Sequence, residues 1–303
     1  MPERSRRHLL DIDDLSDASV QALLDRAVTL SRGEAPRSLG LTAANLFFEP
    51  STRTRVSFEL AGQRLGMNII NIELDRSSAT KGESLEDSAA TLAAMGVDCL
   101  VLRHPETGRA RSLAGALPAG MNLINAGDGC GEHPSQALLD AATLQAEGVD
   151  WPSTRVAIIG DIRHSRVARS GLRLFRRLGV ASLRLAGPES MLPAQAPDPE
   201  AEIVHDLAEA VRDADVVMML RVQRERMDSA GWPDPDEYFR RWGLSEHHLR
   251  QAAPACRVLH PGPINRGMEI DADVADGPRS RILAQVRMGV FLRMAIFEWL
   301  ASA

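Results

Sequence analysis

The sequence predicts an α/β protein of two domains, each a doubly wound parallel sheet flanked by helices. The chain has 303 residues, more than a single domain usually holds. In both halves, short continuously apolar segments alternate with segments of helical period. Parallel sheets produce this pattern, because helices cover both faces of the sheet and bury the strands.

Strands and helices alternate regularly in the first half of the chain. Ser16 can cap a first helix, and another helix at 84–95 ends at Gly96. A helix after Pro50 is predicted to have one apolar side, formed by Val56, Leu60, Ala61 and Leu65. The apolar segments between these helices predict strands at 43–48, 67–72, 97–102 and 121–125.

The second half repeats this alternation. A helix at 134–145 leads into it, and a long helix with an apolar stripe at 282–300 is its last element. Strands are predicted at 155–159, 181–185, 215–220 and 258–259. The segments 193–199 and 232–238 are broken by proline and are predicted to be loops, the second with short helical pieces.

Composition excludes several functional classes. A net charge of −6 and 4% aromatic residues argue against nucleic acid as the main partner. No apolar stretch approaches the ~20 residues of a membrane helix, and no signal-peptide core follows the first residues. Three widely spaced cysteines, Cys99, Cys130 and Cys256, predict neither a disulfide framework nor a zinc site. We expect a cytoplasmic protein without metal or cofactor.

Lys81 is the only lysine among 35 basic residues, the other 34 being arginine. Lysine is a compact charge that can lose its proton, whereas arginine is a planar and permanently charged fork. The lone lysine lies in a polar, glycine-containing loop, so it is a candidate for a position that requires an amine. Compositional drift is the alternative.

The segment 48–55 predicts a phosphate site. It stands where a strand ends and a helix begins, and helix starts offer N–H donors and a positive dipole end. Ser51, Thr52 and Thr54 add hydroxyls, and Arg53 and Arg55 add guanidinium groups suited to phosphate oxygens. A single capping hydroxyl would satisfy an ordinary helix start.

Two more polar segments follow predicted strands of the first half. Arg103 and His104 come directly after a strand, at the edge of the sheet where ligands of such folds bind. His133 and Gln136 open the helix at 134–145 and can together hold a small polar group. Taken singly, Arg103 is typical of a loop arginine and His133 of a structural histidine, so both alternatives stay open.

Arginines also follow strands of the second half. The strand at 155–159 ends in Gly160-Asp161, but the later glycines of a dinucleotide-binding loop are absent. Arg163 and Arg166 stand there instead and suit a carboxylate. The segment 220–226 carries three further arginines, although alone it is also typical of a solvated charged turn. Because no nucleophile–base pair appears, catalysis is expected to rest on positioning and electrostatic stabilisation of anionic substrates.

Taken together, these motifs resemble the aspartate and ornithine carbamoyltransferase family. Residues 51–55 are similar to its carbamoyl-phosphate signature, and the resemblance continues in order along nearly the whole chain. The other matching segments are Phe58-Glu59-Leu60, Arg64-Leu65-Gly66, Lys81-Gly82-Glu83, Arg103-His104-Pro105, His133-Pro134-Ser135-Gln136, Arg221-Val222-Gln223 and His260-Pro261-Gly262-Pro263. The resemblance implies a carbamoyl-phosphate-binding domain at 1–132, an aspartate-binding domain at 133–281 and a C-terminal helix, 282–303, that returns to the first domain.

The resemblance also implies a role for each matching residue. Phosphate is held by Ser51, Thr52, Arg53 and Thr54, and by Ser77 and Lys81 of a neighbouring subunit in a homotrimer. The carbamoyl oxygen is polarised by Thr54, Arg103 and His133, and the carbamoyl amide is received by Gln136 and the backbone at Pro261 and Gly262. The carboxylates of the acceptor are held by Arg166, Arg221 and Gln223, with help from Lys81. The implied catalytic residues are Arg53, Thr54, Lys81, Arg103 and His133.

Three places favour aspartate over ornithine as the acceptor. They are Lys81, the segment 221–226, and His260-Pro261-Gly262-Pro263, where the ornithine enzymes carry His-Cys-Leu-Pro. The resemblance therefore implies transfer of a carbamoyl group from carbamoyl phosphate to L-aspartate in pyrimidine synthesis. A carbamoyltransferase for another amino acid such as ornithine and a non-catalytic scaffold relative are the alternatives. An assembly with a regulatory or dihydroorotase-like chain stays open.

Overall fold

The computed structural model describes residues 7–73, 84–222 and 234–302. Two compact units divide the chain, 1–142 with 286–303 and 143–285. The division falls inside the helix Pro134–Ala146 rather than before it. The domain limits implied by the resemblance, 132 and 281, differ from the limits of the two units by ten and four residues. Among the helices of the described residues, none combines the length and the apolar character that crossing a membrane requires.

The first unit contains a five-stranded sheet in which every pairing is parallel, in the order β1-β5-β4-β2-β3. Its strands are β1 (His8–Leu9), β2 (Thr42–Phe47), β3 (Asn68–Glu73), β4 (Cys99–His104) and β5 (Asn122–Asp128). Its helices are α1 (Asp17–Ser31), α2 (Thr52–Arg64), α3 (Leu85–Ala94), α4 (Arg109–Ala116) and α5 (Pro134–Ala146), the last of which runs on into the second unit. All seven residues of β5 are buried, as a strand inside a covered parallel sheet requires.

The second unit contains another five-stranded parallel sheet, in the order β10-β9-β6-β7-β8. Its strands are β6 (Arg155–Ile159), β7 (Ser182–Ala186), β8 (Ala201–Val204), β9 (Val216–Met219) and β10 (Arg257–Leu259). Its helices are α6 (Arg166–Arg177), α7 (Leu207–Val211), α8 (Pro235–Trp242), α9 (Glu246–Leu249) and α10 (Ala272–Ala275), with 3-10 turns at Trp151–Ser153 and Glu189–Met191. Separate apolar clusters cover the two faces of this sheet.

The C-terminal helix α11 (Ile282–Ala301) begins in the second unit and packs in the first from residue 286 onward. Glu298 accepts from Arg26 of α1 at 2.6 Å and from the backbone N–H of Arg37 at 2.8 Å. Phe297 packs edge-to-face on Phe58 of α2, with ring centroids 5.8 Å apart. The predicted fold class is therefore confirmed, including the return of this helix to the first unit.

The prediction for the buried side of α2 was partly wrong. Ala61 and Leu65 are buried, but Val56 and Leu60 are 41% and 38% exposed. The helix turns Phe58 inward instead, because that ring has the aromatic partner on α11. The strands β1 and β8 and the helix α4 were not predicted from the sequence, and the start of α8 was predicted to be a loop with short helical pieces.

Candidate functional site

The start of α2 presents backbone donors that its own N-cap residue does not use. Ser51 is the N-cap residue, yet its side chain makes no hydrogen bond to the helix. By contrast, Ser16 and Ser84 each accept from a backbone N–H in the first turn of α1 and α3. The first N–H groups of α2 have no acceptor within the helix, so they can bind an anion at the positive end of the helix dipole.

The side chains at this helix start add further donors. Ser51 is half-buried, Thr52 and Arg53 are exposed, and Thr54 is buried. The structure thus places four of the six residues predicted to hold phosphate around a single helix start. Hydroxyl and guanidinium groups at this spacing can surround the oxygens of one phosphate.

Arg103, the next-to-last residue of β4, lies beside the same loop. β4 pairs with β2 so that Arg103 lies opposite Phe47, and the Phe48 N–H donates to the Arg103 carbonyl at 2.9 Å. The guanidinium donates through Nη1 to the Ala126 carbonyl at 3.2 Å, and its Nε lies 3.3 Å from Oε2 of Glu49. A ligand anion that binds Arg103 must therefore compete with Glu49. Nothing in the sequence alone indicated this role of Glu49.

His104, the last residue of β4, supports the loop that follows it. Its ring lies edge-on to Phe48, with centroids 4.7 Å apart, and its Nδ1 accepts from the Glu106 N–H at 3.0 Å. Burial is the main cause that lowers the pKa of His104, while the nearby Glu106 opposes the shift. The imidazole is therefore held neutral, as its acceptor role requires.

One buried carboxylate fixes the turn that leads to His133. Asp128 accepts from the Glu132 N–H through Oδ1 and from the Gly108 N–H through Oδ2, both at 2.8 Å. His133 comes next in the chain, and its carbonyl accepts from the Gln136 N–H at 2.9 Å as α5 begins. His133 is itself buried, so its position is set by the sheet edge rather than by solvent.

Gln136 lies in the first turn of α5 and is 9% exposed. Its Nε2 donates to Oδ1 of Asp140 at 2.9 Å. Gln136 was predicted from the sequence to belong to the site, whereas Asp140 was not. The signal was present, because residues four apart on a helix face one another and Gln–Asp pairs at this spacing form hydrogen bonds.

The second unit presents Arg166 at the end of β6. Arg166 is the first residue of α6 and is buried, and Ser165 caps that helix by accepting from the Ala168 N–H at 3.1 Å. Asp161 accepts from the backbone N–H of His164 at 3.1 Å and lies 2.9 Å from its Nδ1. These contacts fix the turn that carries Arg166.

Arg221 follows β9 at the same edge of the second sheet. The Leu220 N–H donates to the Ile159 carbonyl at 2.8 Å, so the C-terminal end of β9 lies beside Gly160. Gly160 has φ +125°, and an added Cβ would lie 3.1 Å from the Leu220 carbonyl oxygen. This close approach requires glycine and brings the segments before Arg166 and Arg221 together.

A buried pair supports the turn after β10, where Pro261 and Gly262 are half-buried. His260 accepts through Nδ1 from the Gly262 N–H at 2.8 Å, and its Nε2 lies 3.1 Å from Oε1 of Glu269. Because Nδ1 accepts, the ring proton stands on Nε2 and is donated to Glu269. The positive φ of Gly262, +65°, favours glycine at this turn.

Three of the predicted site residues, Ser77, Lys81 and Gln223, lie outside the described residues. The other eleven fall at sheet edges or helix starts within one unit or the other. The first unit carries Ser51, Thr52, Arg53, Thr54, Arg103, His133 and Gln136, and the second carries Arg166, Arg221, Pro261 and Gly262. The donors for phosphate and the arginines suited to carboxylates thus belong to different units.

Two family models match the chain and together span most of it. The aspartate/ornithine carbamoyltransferase carbamoyl-P binding domain matches residues 7–146. The Asp/Orn binding domain of the same family matches residues 153–300. The first match ends at the last residue of α5, Ala146.

Individual relatives agree with this family. The aspartate carbamoyltransferase catalytic subunit of Mesorhizobium japonicum is 48% identical over 304 aligned positions, covering 98% of this chain and 92% of the relative. An aspartate transcarbamoylase from Trypanosoma cruzi, solved in complex with carbamoyl aspartate and phosphate, superposes with a TM-score of 0.86 at 31% identity, over 96% and 94% of the two chains. An ornithine carbamoyltransferase from Gloeobacter violaceus superposes with a TM-score of 0.81 at 31% identity, over 98% and 99%.

Proposed function

The chain belongs to the aspartate/ornithine carbamoyltransferase family, and from this premise we propose that it transfers the carbamoyl group of carbamoyl phosphate to the amine of L-aspartate. The products are N-carbamoyl-L-aspartate and phosphate. The observation that carries the proposal is the start of α2, where the N-cap side chain leaves the helix N–H groups to an anion. The relative from Mesorhizobium japonicum, at 48% identity, favours aspartate as the acceptor.

Carbamoyl phosphate binds with its phosphate on α2 and its carbamoyl group toward α5. The helix N–H groups and the side chains of residues 51–54 receive the phosphate oxygens. Arg103, His133 and Thr54 donate to the carbonyl oxygen, and this interaction strengthens as negative charge develops there. Gln136 and the backbone at Pro261 and Gly262 receive the carbamoyl amide.

L-Aspartate binds through its two carboxylates to the arginines of the second unit. Arg166 and Arg221 each carry a planar guanidinium fork that can meet a carboxylate in a bidentate manner. Gln223 and Lys81 complete this set in the proposal. The side-chain ammonium of ornithine would be repelled by the same cations.

The reaction is an acyl transfer without a covalent enzyme intermediate. The aspartate nitrogen attacks the carbonyl carbon, a C–N bond forms, and the C–O bond to phosphate breaks. The amine loses one proton, which the departing phosphate accepts. The protein holds the two substrates in contact and stabilises the oxyanion, and such positioning supplies a large part of a rate enhancement.

An assay for ureido product with a panel of amino acids tests this function. With carbamoyl phosphate present, L-aspartate should give product and L-ornithine should give almost none. Arg53→Ala should lower kcat/KM by about a hundredfold or more, as for other preorganised donors. Product from ornithine alone, or undiminished turnover in Arg53→Ala, would contradict the proposal.

We also propose that the active unit is a homotrimer in which Ser77 and Lys81 complete the site of the neighbouring chain. Apolar side chains on α2 and the edge strand β3, namely Val56, Leu60 and Ile70, are exposed and provide surface for contact with another copy. Cytoplasmic location, a role in pyrimidine synthesis and assembly with a regulatory or dihydroorotase-like chain stay predictions.

Mixing two inactive variants tests the shared site. Lys81→Gln and Arg53→Ala chains are denatured together and refolded at equal concentrations. Random assembly gives about three-quarters mixed rings with one intact site in three, and therefore about a quarter of the sites restored. Activity that stays at the level of the separate variants, although mixed trimers form, would show that each site is built from one chain.

A further inference from the structure

Asp140 is a buried carboxylate to which the proposed chemistry gives no role. It lies in α5, one turn beyond Gln136, and its side chain is fully buried. Oδ1 accepts from Nε2 of Gln136 at 2.9 Å. A buried carboxylate in contact with a substrate-binding side chain constrains that side chain.

Arg293 is a buried cation that interacts electrostatically with Asp140. It comes from α11, donates through Nη1 to the Gly289 carbonyl at 2.9 Å, and its guanidinium carbon lies 4.8 Å from the ring centroid of Phe58. Burial lowers the pKa of Arg293 to about 10, and Asp140 is the charge that opposes this shift. The two charges thus stabilise each other inside the first unit.

The hydrogen bond from Nε2 of Gln136 to Oδ1 of Asp140 fixes the orientation of the Gln136 carboxamide. A carboxylate can accept hydrogen bonds but cannot donate them, so the amide of Gln136 must turn its NH₂ group toward Asp140. The carboxamide oxygen is then directed away from Asp140. Gln136 therefore offers an acceptor to whatever binds at the start of α5.

We propose that Asp140 is a specificity-determining positioning residue, which fixes Gln136 as a hydrogen-bond acceptor and so selects a carbamoyl group over an acetyl group. This inference rests on the proposed function. A carbamoyl group carries an NH₂ donor where an acetyl group of nearly the same size carries a methyl. A site built to bond that donor discriminates against a ligand that lacks it, because the acceptor is left unsatisfied.

The variant Asp140→Asn should reverse the orientation of the Gln136 carboxamide while nearly keeping the shape of the side chain at position 140. Arg293 attracts the oxygen of the new carboxamide, which turns its NH₂ toward Gln136. Gln136 must then present its own oxygen to Asn and its NH₂ to the ligand, where it meets the NH₂ of the carbamoyl group. We expect the preference for carbamoyl phosphate over acetyl phosphate to fall about tenfold.

The experiment compares three ligands on the full-length protein. The KM for carbamoyl phosphate and the inhibition constants of acetyl phosphate and inorganic phosphate are measured for each variant at saturating aspartate. In Asp140→Asn the KM for carbamoyl phosphate should rise, while the inhibition constants for acetyl phosphate and inorganic phosphate stay within about twofold. A general loosening of the site would weaken all three ligands together.

Two further variants separate orientation from packing. In the double variant Asp140→Asn with Arg293→Gln, the cation that favours one orientation of the new carboxamide is absent. Both orientations of Gln136 are then populated, and the preference for carbamoyl phosphate over acetyl phosphate should fall only about twofold. Gln136→Leu by itself should reduce the preference for carbamoyl phosphate over acetyl phosphate about as much as Asp140→Asn does. Adding Asp140→Asn to Gln136→Leu should then have no further effect, since Asp140 acts through Gln136.

Several results would overturn the proposal. An unchanged preference in folded Asp140→Asn, a parallel loss for inorganic phosphate, or additive effects of the Gln136 and Asp140 substitutions would each do so. If Asp140→Asn does not fold, Gln136→Leu is compared with the triple variant that also carries Asp140→Asn and Arg293→Gln. Equal preferences for carbamoyl phosphate over acetyl phosphate support the proposal, and a further loss in the triple variant overturns it. Failure of the proposed function is separate, because it would appear as a wild-type protein that makes no carbamoyl aspartate.

Discussion

Replacing Phe58 by leucine should weaken the first unit strongly, because this ring joins α2 to α11. Phe58 is fully buried, packs edge-to-face on Phe297 and lies under the guanidinium of Arg293. Leucine is smaller and removes both aromatic interactions. It also leaves a buried cation without the ring that faces it.

The magnitude follows from three contributions. The loss of buried apolar volume costs about 1.5 kcal/mol. The aromatic pair contributes about 1 kcal/mol, and a desolvated cation–π contact about 1.5 kcal/mol. We therefore expect Phe58→Leu to destabilise the first unit by about 4 kcal/mol.

Phe291→Leu is a matched control on α11. Phe291 also has an arginine over its ring, with the Arg64 guanidinium carbon 5.4 Å from the centroid, but the side chain is only half-buried. An exposed contact of this kind contributes about 0.5–1 kcal/mol, so the control should lose about 1.5 kcal/mol in total.

Hydrogen exchange followed by mass spectrometry in increasing urea measures this difference locally. Peptides from α2 and α11 report the opening free energy of the first unit, without assuming that a two-unit chain unfolds in one step. Equal losses in Phe58→Leu and Phe291→Leu would refute the reasoning that the buried ring contacts stabilise this unit.

Three further outcomes are expected. Glu49→Gln should lower the KM for carbamoyl phosphate several-fold, because Arg103 then loses its competing carboxylate; a higher KM would contradict this. The pKa of His104 is lowered in the fold, so unfolded chains bind more protons than folded ones as pH falls below about 6.5. Stability should therefore decline in that range, and His104→Asn should reduce the decline; an unchanged pH profile would contradict it. Gly187→Ala should destabilise the second unit in urea, because its Cβ would lie 2.3 Å from a backbone oxygen, whereas Gly115→Ala in α4 meets nothing within 4 Å and should gain up to about 1 kcal/mol. Equal midpoints for the two alanine variants would contradict it.

Most of the fold was predictable because the apolar segments of this chain are continuous. Strands such as β5 are buried on both faces, so their sequence carries a strong signal, and the predicted order of strands and helices is confirmed. β1 was missed because two residues, His8 and Leu9, are too few to show a pattern. α4 was missed because its Arg, Ser and Gly residues dilute the apolar period.

The site was only partly predictable, because motifs show which groups are present but not how they are held. The segment 48–55 predicted an anion-binding helix start, and the side chain of Ser51 adds a detail that only the structure shows. Asp140 was missed because its surroundings depend on the fold, which brings the charge of Arg293 near it from far away in the sequence. Val56 and Leu60 show the same limit, since helical period alone did not predict which side Phe58 would turn inward.

The first unit is discontinuous in sequence, and this affects its synthesis. Its closing helix follows the 143 residues of the second unit, 143–285, so at about 10 residues per second the ribosome needs about 14 s to supply it. During that interval Phe58 has neither Phe297 nor Arg293 beside it. The second unit can therefore complete its core first, although it is made later, and the nascent first unit exposes an apolar groove that a chaperone can bind. A circular permutant that starts at residue 286 would remove this delay.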